Sequence, residues 1–514
     1  MHQPIEWKLA SGRAEVAICA AAFAAALILS FLTRTVPFPS GDVGIFQSVA
    51  YRLLAGDRLY VDVYDNKDPL FYYFLAAQVR GGPFFQYLAE TLLALGTGWL
   101  VAVTARRFHP NVSLTLFTAC WLATAYICTG WFWTPGMPAA PGIFLAQAAI
   151  TAIIFGRPAV AGLALAATLF TDVIFFPPAA AFVLLFCLLC GDERQDRLRR
   201  PGSTVLAGAA GVALVAAILL LRGEFAGYLA MLANNVLYTH DNWQRASTFA
   251  QNARNHLAAT LYFGKTLVPA WTAAAVLLFT FGRRSPPGSA YRAACLAGAT
   301  LFPVLLLESA QIVIFDHHLA PWHLLVLLAL ALVVPALLGL RRQMIVIPLL
   351  ALATLSLFPL SWESKPANDP LKFGWRLRQL GDLSPETRLL RAMAGDRPAT
   401  YARLGTNNDF HHALGTVRYR LACPEFQQYE IYSVQRLNSA VRCGLTADYL
   451  IVDVPPNQRS AIEDTWLPPY TPIEELNARW LAFRSLAYRA VSRGYQCRAD
   501  GPDLRVCRKL SSRS

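Results

Sequence analysis

Charge is what this sequence has least of. Asp, Glu, Lys and Arg make up 15% of its 514 residues, against about 25% in an ordinary soluble domain. Such a composition, 55% hydrophobic, excludes a typical soluble globular chain. Its Ala/Leu/Val/Phe runs recur from residue 14 to residue 361, each near the ~20 residues a helix needs to cross a bilayer. Other absences narrow the function. The chain has no glycine-rich phosphate loop and no internal repeat. No small-residue cleavage site follows the first apolar run, 15–31, which therefore reads as a retained signal anchor. Aromatic residues interleaved with basic ones, on which single-stranded nucleic acid stacks, are missing as well. The formal charge of +13 thus needs an explanation other than nucleic acid.

Its distribution supplies one. Arg106-Arg107, Arg157, the 194–200 cluster, Arg283-Arg284 and Arg341-Arg342 punctuate the gaps between apolar runs, which is the positive-inside pattern of cytoplasmic loops. That rule predicts an α-helical polytopic membrane protein with spans near 14–33, 84–105, 112–130, 139–156, 158–172, 174–190, 203–222, 265–282, 291–310, 320–340 and 343–361, about eleven in all. The N-terminus is then cytoplasmic, and the 34–83 loop, the 223–264 loop and everything after 361 lie outside. Within 158–190, "TDVIFFPP" is either a tight outer turn between two short helices or a kink in one long helix. The glycosylation sequon at Asn111 falls on the cytoplasmic side and reads as chance.

Composition changes after Leu360. Residues 362–514 lose the long apolar runs and gain Pro, Arg, Asp and Asn. "ATYARLGT" and "DYLIVDVPP" read as strands, and "PIEELNARWLAFRSLAYRAV" has helical spacing. This predicts two parts: a membrane domain over 1–361 and a small α/β or α+β domain over 362–514 outside the cytoplasm. Cys19, Cys120, Cys128, Cys187, Cys190 and Cys295 lie in apolar spans, where a thiol is a small hydrophobe. The other four cluster in the tail. "YQCRADGPDLRVCRKL" has the form of a hairpin about Asp500-Gly501, bringing Cys497 opposite Cys507. An even count in an oxidising compartment predicts two disulfides, Cys423–Cys443 and Cys497–Cys507. Zinc is the alternative, but neither pair has the close two-residue spacing of zinc ligands.

The densest polar stretch is "GDVGIFQSVAYRLLAGDRLYVDVYDNKDPLFYYF", residues 41–74, with aspartates at 42, 57, 62, 65 and 68 and one lysine, Lys67. Ile45, Phe46, Val49, Ala50, Leu53 and Leu54 recur at helical spacing, which suits a helix lying in the membrane interface. Asp42 at its start is either an N-cap or a functional carboxylate kept ionised by the helix N-terminus. Lys67 is either a snorkelling anchor or a cation for a lipid phosphate, set before an aromatic run, "FYYF", that belongs at an interface. Asp65 and Asn66 beside it are candidate substrate contacts. Asp172, in "TDVIFFPP", is a functional suspect by position or a cap. "FDHHLAPWH" places Asp316, His317, His318 and His323 at the mouth of the tenth span; they line an acceptor cleft or bind a metal. In "NNVLYTHDNWQRA", Asn234, His240, Asp241 and Trp243 are either acceptor contacts or a solvated loop. "LGTNNDFHHALG", at 404–415, is either a glycan contact or a helix cap.

A signal-anchor helix, an outer loop opening with Asp42 on an amphipathic helix, and "YVDVYDNKDPLFYY" together resemble the GT-C superfamily of integral membrane glycosyltransferases. The similarity is greatest to the branch of protein O-mannosyltransferases and the lipid A aminoarabinose transferase. It covers about 14–361, with its specific motifs confined to about 40–75. The resemblance implies that Asp42 is the catalytic acid position and that Lys67 in "NKDPL" holds a polyprenyl phosphate. It further implies an enzyme of a bacterial cytoplasmic membrane that moves a sugar from a polyprenyl-phosphate donor to a hydroxyl of an envelope glycan, lipid or protein, with inversion. Neither nucleotide nor metal cofactor is required in principle. Two departures stand out: Asp42-Val43 replaces an acidic pair, and Asp68 replaces a proline. A lipid flippase or transporter and a non-catalytic envelope scaffold are the competing classes. Coupled transporters place ionisable groups near mid-bilayer, whereas here they lie at span ends, Glu90 being the plain exception.

Overall fold

Apart from Ala17, the computed structural model describes residues 42–110, 136–190, 194–243, 249–264, 267–312, 316–337, 385–395, 397–404, 419–424, 442–452, 494–500 and 504–510. The expected spans at 14–33, 112–130 and 343–361, the helix expected over 472–491 and the turn over 405–415 lie outside these residues.

Among the described residues the helices are α1 (Asp42–Leu54), α2 (Pro69–Arg80), α3 (Gly82–Phe108), α4 (Ala139–Ile154), α5 (Pro158–Leu169), α6 (Phe176–Leu189), α7 (Arg194–Leu221), α8 (Phe225–Trp243), α9 (Phe249–Gly264), α10 (Val268–Arg284), α11 (Ala290–Ala299), α12 (Leu301–Ile312), α13 (His323–Leu332) and α14 (Val334–Leu337). Two 3-10 segments, Val173–Phe175 and Asp316–Trp322, interrupt them. Among the described residues, four stretches are long and apolar enough to cross a membrane: Leu88–Phe108, Arg199–Leu221, Ala290–Ala310 and His318–Leu337. On α7, Leu206 is 74% exposed and Leu221 88%. Bare leucines in that number would drive aggregation in water, and in a bilayer they meet lipid tails. This is the surface of a membrane protein.

The weakest part of the span pattern, 158–190, is two helices. α5 ends at Leu169, the chain turns through Phe170–Asp172, and α6 follows a 3-10 turn. Pro177 and Pro178 sit in the first turn of α6, where a missing N–H costs nothing, so they start a helix instead of kinking one. α5 packs on α7 through bare backbone. A Cβ on Gly162 would lie 2.1 Å from the Thr204 carbonyl oxygen and 2.8 Å from the Gly208 amide nitrogen. Small residues permit this approach, as at other membrane helix crossings. Phe175, Phe182 and Phe186 fill the bundle core together with Trp271, whose ring stacks on Trp322 at 4.9 Å.

The 41–74 stretch corrects one expectation. α1 is helical, but it does not lie bare in the membrane interface. Its apolar face (Ile45, Phe46, Val49, Ala50, Leu53) is covered by Phe71, Tyr72 and Leu75 of α2 and by Ala402, Leu450 and Cys507 from the tail. Gln47, Ser48 and Arg52, on its other faces, are buried too. The "FYYF" run is likewise divided: Phe71 and Tyr72 are buried, and Phe71 meets Phe46 edge-on at 5.2 Å. Periodicity identified the helix; protein, not lipid, covers it. The 223–264 segment, expected as a loop, holds the two helices α8 and α9.

The tail contributes α15 (Pro385–Ala394) and strands β1 (Ala399–Leu404), β2 (Tyr419–Leu421), β3 (Tyr449–Val452), β4 (Tyr495–Asp500) and β5 (Leu504–Lys509). They form one mixed sheet in the order β2-β1-β3-β5-β4, with β1 parallel to β2 and β3 and the β4–β5 hairpin antiparallel. Alternation sorts the two faces. Tyr401, Tyr449, Ile451 and Val506 pack on Leu389 and Leu390 of α15, while Ala402, Leu450 and Cys507 turn to α1 and α2. Two polar contacts fix that second seam. The Arg52 guanidinium donates to the Tyr419 carbonyl, and the Tyr64 amide donates to the Pro424 carbonyl at 3.0 Å.

Disulfides join Cys423 to Cys443 and Cys497 to Cys507. The second pair are direct partners across β4 and β5. Alkylation of the denatured but unreduced protein, followed by peptide mass spectrometry, should leave these four cysteines unmodified and tag those of the apolar segments. Tagging of any of the four before reduction would overturn the pairing.

Candidate functional site

The site is built on the segment between α1 and α2. Asp42 is the first residue of α1, at the end where the helix dipole favours negative charge; its side chain lies outside the described residues. After α1, Arg52 ion-pairs with Asp57 at 2.6 Å while almost fully buried. A tight turn follows, held by Tyr60 N–H to the Val63 carbonyl at 2.7 Å. The Arg58–Asp62 pair across it is half exposed and adds little.

Tyr60 has φ 63°, the left-handed region that non-glycine residues rarely occupy. The conformation is held from both ends. Its hydroxyl donates to the Lys67 carbonyl at 2.7 Å, and its ring lies 5.6 Å from that of Tyr228 on α8. α8 comes this close because residue 227 is glycine: a Cβ there would stand 2.9 Å from Tyr60 Cβ and 3.0 Å from its carbonyl oxygen. Glu224, at the start of α8 and fully buried, completes the clamp. It accepts from the Leu59 amide at 3.0 Å, from Arg222 at 3.0 Å and from the Tyr73 hydroxyl.

This scaffold presents "DNKD", residues 65–68. Asp65 is fully buried and its Oδ1 accepts from the Asn66 amide. Asn66 is half-buried and its carbonyl is held by Asn235 Nδ2 at 2.9 Å. Asn234 bonds the Tyr64 hydroxyl at 2.7 Å, so it braces the loop. Lys67 is half-buried. Among the described residues no salt bridge or hydrogen bond engages its ammonium, although aspartates flank it at 65 and 68.

Asp68 is buried and bonds to other segments. Its Oδ2 accepts from the Val173 amide at 3.2 Å and its Oδ1 from the Tyr228 hydroxyl at 3.3 Å. Thus Asp68 supplies the cap of the 3-10 turn Val173–Phe175, and Asp172, at the N-cap position itself, makes no side-chain cap bond there. The same seam is closed by the Leu70 amide donating to the Phe170 carbonyl at 2.9 Å. Burial and the neighbouring charge of Asp172 push the Asp68 carboxyl up to about 7, against the opposing pull of the Val173 amide, Lys67 and Tyr228. Burial also raises the Tyr60, Tyr73 and Tyr228 hydroxyls, so all three stay protonated.

The structure therefore brings Asp65, Asn66, Lys67 and Asp172 together, with Asp68 among them. The second 3-10 segment, Asp316–Trp322, touches the first and carries His318, which is half-buried. The side chains of His240, Asp241 and His317 lie outside the described residues. His323 is buried at the start of α13. Among the described residues no three of His, Cys, Asp and Glu cluster as metal ligands. Glu224, Tyr228, Asn235 and Glu308 were not singled out by the sequence. A lone acid directly after a long apolar run, as in "LLLRGEF", is the signal that could have found Glu224.

No family model matches this chain, and no curated protein does. Two solved structures are similar in overall course, both single-particle cryo-EM structures of arabinofuranosyltransferase AftD from mycobacteria. One is 14% identical with a TM-score of 0.47, covering 98% of this chain and 40% of that one. The other, a point mutant, is 15% identical with a TM-score of 0.47, covering 97% of this chain and 42% of that one. The chain spans about two fifths of their length, and a likeness at this level assigns it no activity.

Proposed function

We propose that this protein is a membrane glycosyltransferase of the GT-C type. It moves a sugar from a polyprenyl-phosphate-linked donor to a hydroxyl of a cell-envelope glycan, lipid or protein on the outer side of a bacterial cytoplasmic membrane. One observation carries the reading: a lysine ammonium, half-buried at the tip of a braced loop, left without an ion pair among the described residues. An ammonium so placed suits an external anion, and the exposed leucines of α7 offer the lipid surroundings that a polyprenyl tail needs.

In the chemistry that follows, Asp42 takes the proton of the acceptor hydroxyl as its oxygen attacks the anomeric carbon. The bond from that carbon to the phosphate oxygen breaks, and its electron pair leaves with the lipid phosphate. Lys67 neutralises the charge that grows there. A single displacement inverts the anomeric centre.

The test is to incubate membranes, with and without the protein, with a panel of radiolabelled polyprenyl-phosphate sugars and trace label into lipid, glycan and protein. Protein-dependent transfer without added nucleotide sugar is expected. Transfer only from a UDP- or GDP-linked sugar would refute the donor class, and movement of intact donor across the bilayer without transfer would favour a flippase.

A further inference from the structure

We propose that Gln47, Gln86, Gln78 and Glu90 form a hydroxyl-binding subsite for the sugar that the lipid phosphate carries. This rests on the donor class proposed above and adds to it a place for the sugar ring.

The four side chains come from three helices and are joined by direct contacts. Gln47 of α1 donates through Nε2 to Gln86 Oε1 of α3 at 3.2 Å. Gln78 of α2 donates through Nε2 to Glu90 Oε1, one turn further along α3, at 3.4 Å. The Gly136 amide donates to the same oxygen at 3.3 Å. All four side chains are buried: Gln78 and Glu90 are 1% exposed, Gln47 and Gln86 8% and 6%. The Gln47–Gln86 end is thus the more open one.

What sets the cluster apart is what it leaves unmet. Among the described residues, Gln78 Oε1 and Gln86 Nε2 are buried with no hydrogen-bond partner. Turning the amides over does not remove the deficit. The Gln78 amide is oriented by the Glu90 carboxylate, which accepts from nitrogen and repels oxygen. Turning Gln47 or Gln86 alone sets like atoms against each other. Turning both leaves Gln86 with an unmet oxygen in place of an unmet nitrogen. Buried polar groups of native proteins are almost all paired, so a spare acceptor and a spare donor in one cluster call for a group that serves both. A hydroxyl does, and a sugar presents several on adjacent carbons.

The position fits the transferred sugar, whose ring lies between base and phosphate in the proposed displacement. α1 opens with Asp42, about 7.5 Å along the helix axis from Gln47. α2 opens at Pro69, directly after the "DNKD" segment that holds Lys67. Its Phe71 meets Phe46, the neighbour of Gln47, at 5.2 Å. The cluster therefore stands on the two helices that begin at the base and beside the phosphate cation.

Titration of the full-length protein in nanodiscs with undecaprenyl phosphate, and with mannosyl, glucosyl and arabinofuranosyl phosphoundecaprenol, tests this. Wild type should bind at least one sugar-bearing lipid more tightly than the bare lipid phosphate. The double variant Gln47→Met, Gln86→Met should weaken that binding roughly five- to 150-fold and leave binding of the bare lipid phosphate as it is. Its thermal melt should not fall, because apolar groups in place of both partners leave nothing of that pair buried and unmet. Gln78→Met, which leaves Glu90 the Gly136 amide, should act in the same direction and gives a second reading if the double variant fails to fold. Variants that bind the sugar-bearing lipid as wild type does assign the cluster to packing or ordered water and overturn the subsite. Equal weakening towards the bare lipid phosphate, a wild type blind to all three sugars, or loss of fold in both variants overturns it as well, with the donor phosphate untouched. No binding of any of the four lipids by wild type overturns the donor class, and the subsite with it.

Discussion

Asp42→Asn should lower turnover by about 10²-fold or more and leave donor affinity nearly unchanged. The expectation rests on what the two side chains share. Asn has the shape of Asp and serves about as well at a helix N-terminus, so α1 and the seam it forms with α2 and the tail should persist. What Asn cannot do is take a proton. A catalytic base is therefore the one role the substitution removes. Steady-state kinetics with a polyprenyl-phosphate sugar, together with a thermal melt, separates the cases. An Asn variant with normal turnover would make Asp42 a cap and send the search for the base to Asp172 and His317.

Lys67→Ala should fail differently. A charge-assisted contact to phosphate contributes about 1.5–3 kcal/mol, so donor affinity should weaken roughly ten- to 150-fold, with turnover lowered as well if the contact tightens as the phosphate departs. The fold should tolerate the change, because the scaffold uses the Lys67 carbonyl and not its ammonium: the bond from Tyr60 survives in any residue. Lys67→Arg keeps the charge and should recover part of the affinity. A donor titration on wild type and both variants checks this. Unchanged affinity in Lys67→Ala would reduce the residue to a membrane anchor.

How much of this was legible in the sequence follows from how far each signal reaches. The helices α3 and α7, the strands β1 and β3 and the β4–β5 hairpin all announce themselves within a few residues, through hydropathy, alternation or the Asp500-Gly501 turn. Cys497 and Cys507 were readable for the same reason. β2, three residues long, is too short to carry a pattern. The burial of α1 was out of reach on different grounds, since a helical stripe of Ile, Phe, Val and Leu is the same whether lipid or a sheet covers it. In the site, Lys67 stood out as the one lysine of the 41–74 stretch, but the roles of Asp68 and Glu224 depend on partners at separations of 105 and 165 residues. Local pattern cannot bring those groups together; only the packing of α8 and the α5–α6 turn against the loop does so.

The seam between α1 and the tail has a consequence for how the protein is made. Arg52 and the strand residue it bonds, Tyr419, are 367 residues apart in the chain, and Pro424, which receives the Tyr64 amide, adjoins the Cys423–Cys443 bond. The ribosome therefore releases the loop early and the strand that steadies it very late. During the interval the apolar face of α1 has lost part of its cover, and its carbonyl partners do not yet exist. A chain stopped anywhere short of the tail carries all of the "DNKD" segment and still lacks the wall behind it. Until that strand has emerged and the adjoining cysteine pair has oxidised, the loop lacks the backbone contacts that Tyr419 and Pro424 supply.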